Sequence, residues 1–195
     1  MRKIKDLVIS SCKEFKSARS IVLAAMFGAI SMIINSFSIM IGQIVKIDFV
    51  FLPNEFVHYL FGPIFGAVYG AVMDVLNYIL KPQGAFFPGF TISAILIGIL
   101  YGFILYKRPI SLKRVIIANV IRVIFIDILL NTYWLTLLVG KAYMVLLSTR
   151  IIEKLIMFPI ETILLFTVIK SVEKTGILDL LRPKKYKIDS KAGLN

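Results

Sequence analysis

Five long apolar runs limit what this chain can fold into. They cover residues 21–41, 62–80, 90–106, 115–139 and 143–169, and each reaches or approaches the ~17–25 residues that a helix needs to cross a bilayer. Of the 195 residues, 58% are apolar and 17% are charged, whereas soluble domains carry about 25% charged residues. Because no separate soluble domain fits between the runs, we expect an integral membrane protein of one domain, 1–195.

The placement of the basic residues predicts the orientation in the membrane. The net charge is +12, and 17 of the 23 lysines and arginines lie in residues 1–19, in the loop 107–114, or after residue 169. Positive charge concentrates on the cytosolic side of membrane proteins. The basic ends 1–19 and 170–195 are therefore assigned to the cytosol. Membrane lipid, and no nucleic acid, is the partner expected for this charge.

One further segment, residues 47–61, decides the number of crossings. It is short and carries Asn54, Glu55 and His58, which alone would also suit a core or re-entrant helix. The basic segments 1–19 and 107–114 should both lie in the cytosol, so an even number of crossings should separate them. The runs 21–41, 62–80 and 90–106 supply three crossings, and we therefore count residues 47–61 as the fourth. The prediction is an all-α membrane protein with six transmembrane helices and cytosolic N- and C-termini. The helices are expected at approximately 20–42, 47–61, 62–80, 90–106, 112–138 and 144–169.

The sequence offers little for catalysis or metal binding. Cys12 is the single cysteine, so no intrachain disulfide and no paired-thiol metal site is expected. A GxxxxGK[ST] phosphate loop, an HExxH helix and a GxSxG turn are all absent from the sequence. We therefore expect no enzyme, no cofactor and no ATP hydrolysis by this chain.

Polar residues inside the predicted helices mark a candidate pocket. Ionisable groups in a membrane helix are costly, at about 2.5–3.5 kcal/mol on insertion scales, and they usually face the protein interior. Three helices carry such groups at similar depths near the predicted outer surface, and the loop 81–89 adds two aromatic residues that suit a lid. The candidate ligand-binding residues are Asp74, Asn77, Phe86, Phe87, Asp127, Asn131, Trp134, Arg150 and Lys154.

These side chains suit a flat heterocycle with an anionic tail. A carboxylate or amide can bond the edge of an aminopyrimidine, and aromatic rings can stack on its face. Arg150 and Lys154 suit the tail, with Glu153 beside them. The ring half of this argument holds equally for a pterin, a flavin, thiamine or another heteroaromatic compound.

The remaining deep polar residues are interpreted as structural. Arg122 is expected to be paired with Asp127 or Glu161, and Glu161 is placed too deep for an outer pocket. His58 is interpreted as a packing residue.

Two stripes of small residues predict close helix contacts. On the first helix, Ala24 and Gly28 form one stripe, and Ala25 and Ala29 form another. Spacing of four residues places each pair on one face, where another helix can approach closely. A third stripe runs through Gly62, Gly66 and Gly70 toward Asp74.

Several motifs together resemble a known transporter family. They are FGPIFGAVYGAVMD (61–74), GAFFPGF (84–90), TISAILIG (91–98), LNTYWL (130–135) and RIIEKLIMFPI (150–160). The pattern, which extends over most of residues 19–165, resembles the substrate-binding S components of energy-coupling-factor (ECF) vitamin importers, above all the folate branch.

The resemblance implies a function and partners. A folate-family S component binds its vitamin in an outward-facing pocket of the cell membrane. A transmembrane coupling subunit and two cytosolic ATPases supply the energy, and Ala25 and Ala29 match the family's docking stripe. Two alternatives stay open: an S component for another heteroaromatic vitamin, and a proton- or sodium-coupled transporter using Asp74, Asp127 or Glu161.

Overall fold

The computed structural model describes residues 2–41, 45–82, 84–140 and 143–176. Within these ranges the chain is helical except for one short hairpin. The helices are α1 (Arg2–Glu14), α2 (Ala18–Ser36), α3 (Phe51–Phe61), α4 (Pro63–Leu80), α5 (Pro88–Leu105), α6 (Leu112–Ile121), α7 (Asn131–Val139) and α8 (Tyr143–Lys174). A π-helical segment, Arg122–Leu130, joins α6 to α7 without a break. The all-helical class predicted for the chain is thus confirmed.

Five helical stretches are long and apolar enough to cross a membrane. They are Ala18–Ser36, Pro63–Leu80, Pro88–Leu105, Leu112–Leu138 and Leu146–Lys174. By contrast, α3 has 11 residues and rises only about 16 Å, roughly half the hydrocarbon thickness. The count of six crossings and the cytosolic termini therefore stay predictions. The basic tail beyond residue 176 lies outside the described residues.

The first membrane helix is shorter than expected. It ends at Ser36 rather than near residue 42, and an antiparallel hairpin follows, with Ile39–Ile41 (β1) paired to Val45–Ile47 (β2). Residues 42–44 between the strands lie outside the described residues. Isoleucine and valine suit a strand as well as an apolar helix. The apolar run therefore continues past Ser36 without marking the residue at which the helix ends.

Helix α3 is buried on nearly all sides. Eight of its 11 residues are buried, among them Val57 and Tyr59, which have no exposed surface. Residues 55–61 of the helix are all buried, so its polar residues Glu55 and His58 face protein. This position explains why so short a segment tolerates ionisable side chains.

Helices α4 and α5 contact each other through their backbones. A Cβ atom added at Gly98 would collide with the Gly66 carbonyl group, and one added at Gly70 would lie 2.6 Å from the carbonyl oxygen of Ala94. At Gly102 the added atom would strike Pro63. The stripe Gly62–Gly66–Gly70 therefore acts as the sequence suggests, by letting a neighbouring helix approach closely.

The N-terminal helix α1 closes one end of the bundle. The Ser11 hydroxyl donates to the Phe61 carbonyl at 2.8 Å and accepts from the backbone N–H groups of Ile64 and Phe65, both at 3.0 Å. It thereby caps the break between α3 and α4, where Gly62 adopts φ +87° and Pro63 cannot donate. Glu14 accepts from Ser20 at 2.6 Å and ties α1 to α2.

Candidate ligand site

One large cavity lies between the helices near the hairpin end of the bundle. Its volume is about 480 Å³, which falls within the roughly 300–1,000 Å³ of small-molecule sites. Its walls come from α2, α3, α4, α5, α8, the π segment and α7. The loop before α5 contributes Ala85, Phe86 and Phe87.

Eight of the nine predicted binding residues line this cavity: Asp74, Asn77, Phe86, Phe87, Asp127, Asn131, Arg150 and Lys154. The ninth, Trp134, lies just behind the wall with its ring 5.6 Å from that of Phe87. Residues separated by up to 80 positions thus surround one space. Their contact with a ligand stays a prediction.

A buried ionic network forms one side of the cavity. Arg122 Nη1 lies 2.5 Å from Glu55 Oε1, its Nε lies 3.2 Å from Asp127 Oδ2, and Nη2 pairs with Glu161. Lys154 Nζ lies 3.3 Å from Asp127 and 3.5 Å from Glu161. The pairing predicted for Arg122 is confirmed, with Glu55 as a third partner.

Two details of this network differ from the sequence interpretation. Glu161 lines the cavity, so its placement too deep for the pocket was wrong. The cavity extends two helical turns along α8 from Lys154, and an estimate of residue depth from the helix ends does not show how far a cavity reaches.

Lys154 already faces two carboxylates, whereas Arg150 makes no ion pair within the described residues and its Nε has no hydrogen-bond partner there. Arg150 is thus the less compensated of the two cations.

The π segment makes the network possible. Arg122 and Asp127 are five residues apart, a spacing that points to different faces of an α-helix. In a π-helix, residues i and i+5 are hydrogen-bonded neighbours, and the two side chains meet. Asp127 also accepts from Asn131 at 3.4 Å. π-Helical turns are rare and concentrate at functional sites.

The opposite wall is organised by hydrogen bonds between α2, α4 and α5. Asp74 accepts from Thr91 at 2.6 Å, and Asn77 accepts from Asn35 at 3.0 Å. Lys81 donates to the Ser38 hydroxyl at 3.0 Å. Asn35 was not among the predicted site residues, although its place on the buried α2 stripe, seven residues after Gly28, was a usable signal.

Aromatic rings occupy the mouth of the cavity. Phe86 is 43% exposed and packs on Tyr78 at 5.1 Å, while Phe87 packs between Trp134 and Phe90. Gly89 leaves the space for this stack, because a Cβ there would collide with the Phe87 and Trp134 rings. This arrangement is compatible with the predicted lid, which stays a prediction.

A bundle of membrane-length helices around one cavity of charged, amide and aromatic side chains defines a membrane protein that binds a small polar ligand. The family described as "ECF transporter, substrate-specific component" matches residues 19–169. The chain belongs to this family, as its motifs indicated. It is a multi-pass bacterial membrane protein, and the family implies a binding subunit rather than an enzyme.

Individual relatives agree with this membership. The chain is 38% identical over 136 residues to "Folate transporter FolT" of Clostridium novyi, covering 70% of this chain and 79% of the relative. It is 28% identical over 149 residues to "Folate transporter FolT" of Leuconostoc mesenteroides, covering 73% and 80%. The solved structure titled "Crystal structure of FolT bound with folic acid" matches with a TM-score of 0.72 and 32% identity, covering 78% of this chain and 93% of that one.

Proposed function

We propose that this protein is the folate-binding S component of an ECF importer. The observation that carries the proposal is the match, over most of both chains, to a solved structure of FolT bound with folic acid. The cavity supports it, because it supplies carboxylates and amides for a heterocycle, aromatic rings for stacking and cations for an anionic tail.

The residues divide into three roles under this proposal. Asp74, Asn77 and the Asp127–Asn131 pair bond the heterocycle and its flanking groups. Phe86 and Phe87 cover the rings, and Trp134 supports Phe87 from behind. Arg150 binds a tail carboxylate. Lys154, which is also paired with Asp127 and Glu161, adds positive charge beside it. Lys81, which lines the same cavity, is a second candidate for the tail.

Transport requires partners, because the chain carries no phosphate loop. We propose that a transmembrane coupling subunit docks on the α2 face that holds Ala25 and Ala29. Both residues are exposed, whereas Ala24 and Gly28 on the other stripe are buried against the bundle. One stripe thus packs internally and the other remains open for a second protein.

The binding test uses the purified full-length chain in detergent and the fluorescence of its single tryptophan. Because Trp134 lies beside Phe87, bound folic acid should quench its emission in a saturable manner. Arg150→Gln should weaken binding by about tenfold, the value of one charge-assisted hydrogen bond. The exposed Arg108→Gln is the matched control and should bind as wild type. If riboflavin or thiamine displaced folic acid at equal concentration, the vitamin assignment would be wrong.

The transport test uses liposomes. The chain alone should bind folic acid without accumulating it, and ATP-dependent uptake should appear only with the coupling subunit and ATPases. Ala25→Leu and Ala29→Leu should abolish uptake but preserve binding, whereas Thr167→Leu, at an exposed position of α8, should preserve both. Uptake by the chain alone, driven by a proton or sodium gradient, would favour the secondary-transporter alternative.

A further inference from the structure

A second, smaller cavity adjoins the main one. Its volume is about 190 Å³, and it lies between α3, α4 and α5. Both cavities are lined by Phe51, Asp74, Asn77, Ile97 and Arg122. From Asp74 and Asn77 the smaller space continues toward the α1 end of the bundle, where Gly70 and His58 line it. We call it the inner cavity.

The inner cavity has unsatisfied polar groups. Neither ring nitrogen of His58 has a hydrogen-bond partner within the described residues. The Glu55 carboxylate accepts from Arg122 and lies within reach of the Tyr101 hydroxyl, and its Oε2 has no well-aligned partner there. Glu55 and His58 are each only 2% exposed. Leaving such groups unpaired in a buried place costs stability, and native structures keep few of them without a reason. The two His58 nitrogens therefore point to a bonding partner that the protein itself does not supply, and Glu55 Oε2 can accept a further bond beside them.

The shape of the inner cavity suits a flat ring. On one side the backbones of α4 and α5 touch at Gly70 and Ala94, so no side chain intrudes there. Met73 and Ile97 add apolar surface. The volume is smaller than the roughly 300 Å³ at which complete ligand sites begin, and corresponds to about six water molecules. It therefore fits one part of a ligand rather than a whole vitamin.

Helix α3 presents donors and acceptors in sequence along this space. Asn54 Oδ1 is occupied by the Tyr69 hydroxyl at 3.0 Å, which leaves the Asn54 amide N–H groups to donate. Glu55 Oε2 accepts. His58, when neutral, donates from one nitrogen and accepts at the other. An amino-oxo heterocycle carries the complementary set of ring N–H, exocyclic amine, ring nitrogen and carbonyl groups.

We propose that the inner cavity is the subsite for the heteroaromatic head of the ligand, with Glu55 and His58 as specificity-determining residues. This rests on the proposed function. The pterin head lies beside Asp74 and Asn77, which line both cavities, and its inner edge reaches α3, while the aminobenzoate and glutamate parts stay in the main cavity near Arg150. Glu55 and His58 bond the head's N–H groups and ring nitrogen. The His58 nitrogens then gain partners only when the ligand is bound, while Glu55 keeps its bond to Arg122 and adds one to the ligand.

The test measures the unfolding temperature of the ligand-free protein and its affinity for folic acid. The first is expected to stay equal or rise, and the second to fall. In His58→Phe the unpaired nitrogens are gone, so the ligand-free protein should unfold at an equal or higher temperature. The same variant should bind folic acid about tenfold or more weakly, because a hydrogen bond to the head is lost. A merely structural histidine predicts the reverse, with lower thermal stability and unchanged affinity.

A matched control and a second probe sharpen the result. Ser31 on α2 is also buried, and its hydroxyl has no partner in the part of the chain that the structure describes. It lines neither cavity, so Ser31→Ala should leave folic acid affinity unchanged. p-Aminobenzoylglutamate lacks the pterin, and its affinity for His58→Phe should stay within about twofold of wild type. Should phenylalanine prove too large for the chain to fold, His58→Leu removes the same nitrogens with a smaller side chain.

Each outcome separates the two proposals. If wild type binds folic acid tightly and the His58 variants match it within about twofold, the inner cavity holds no head group and this inference is wrong while the proposed function stands. Equal weakening of both probes would also overturn it. If wild type binds no folic acid, the proposed function is wrong, and the inference falls with it.

Discussion

Loss of Arg122 should strongly destabilise this protein. Its guanidinium contacts three carboxylates, those of Glu55, Asp127 and Glu161, and only 5% of its side chain is exposed. In Arg122→Met those three negative charges would share Lys154 as the one remaining cation of the network. Leaving a buried charge without its partner costs about 3–5 kcal/mol.

That free energy translates into a measurable shift. At about 2–4 °C per kcal/mol for a chain of this size, Arg122→Met should unfold about 6–20 °C below wild type. The measurement is thermal unfolding of the detergent-purified protein, followed by circular dichroism. Arg108→Met is the control, because Arg108 is exposed in the loop after α5. A surface change of this kind should stay within about 0.5 kcal/mol.

A compensated variant isolates the electrostatic cause. When Glu55→Gln and Glu161→Gln are added to Arg122→Met, the excess negative charge disappears while the shapes are nearly kept. Neutral replacement of a buried ionic cluster is often tolerated, so the triple variant should recover more than half of the lost melting temperature. No recovery, or a single variant as stable as Arg108→Met, would refute the assignment of Arg122 as the charge that balances this network.

Three further changes test separate features. Ser11→Ala removes the cap of α4 and should cost about 1 kcal/mol of unfolding free energy, whereas Ser36→Ala, whose exposed hydroxyl bonds only its own helix, should cost less than about half of that. Gly98→Ala forces α4 and α5 apart and should cost about 1–3 kcal/mol by thermal unfolding; an unchanged melting temperature would contradict the backbone contact. Phe87→Ala removes a ring pair with Trp134 and should speed folic acid release by up to about tenfold in stopped-flow fluorescence; a slower release would contradict a covering role.

Much of the site was visible in the sequence because of the cost of polar groups in a membrane. Asp74, Asn77, Asp127 and Asn131 stand out from long apolar runs, and the bilayer leaves such residues few places except a protein interior. The structure brings them to one cavity. The placement of the basic residues indicated a multi-pass membrane protein, and the motifs resembled a family of such proteins.

The features that were missed have physical explanations. Pattern reading assumes 3.6 residues per turn, and the π segment departs from that period between Arg122 and Leu130. This departure brings Asp127 onto Arg122. The hairpin after Ser36 and the cavity depth at Glu161 depend on tertiary contacts, which a single apolar run does not reveal.

The contact of α4 with α5 also limits how the molecule can move. Carbonyl groups of one helix lie directly against the glycines of the other, with no flexible side chain between them to absorb sliding. The two helices therefore behave as a single rigid plate that carries Asp74, Asn77 and the anchoring end of the aromatic loop. Admission or release of a ligand is therefore expected to involve displacement of the aromatic loop, α2, the hairpin, α7 or α8 relative to that plate.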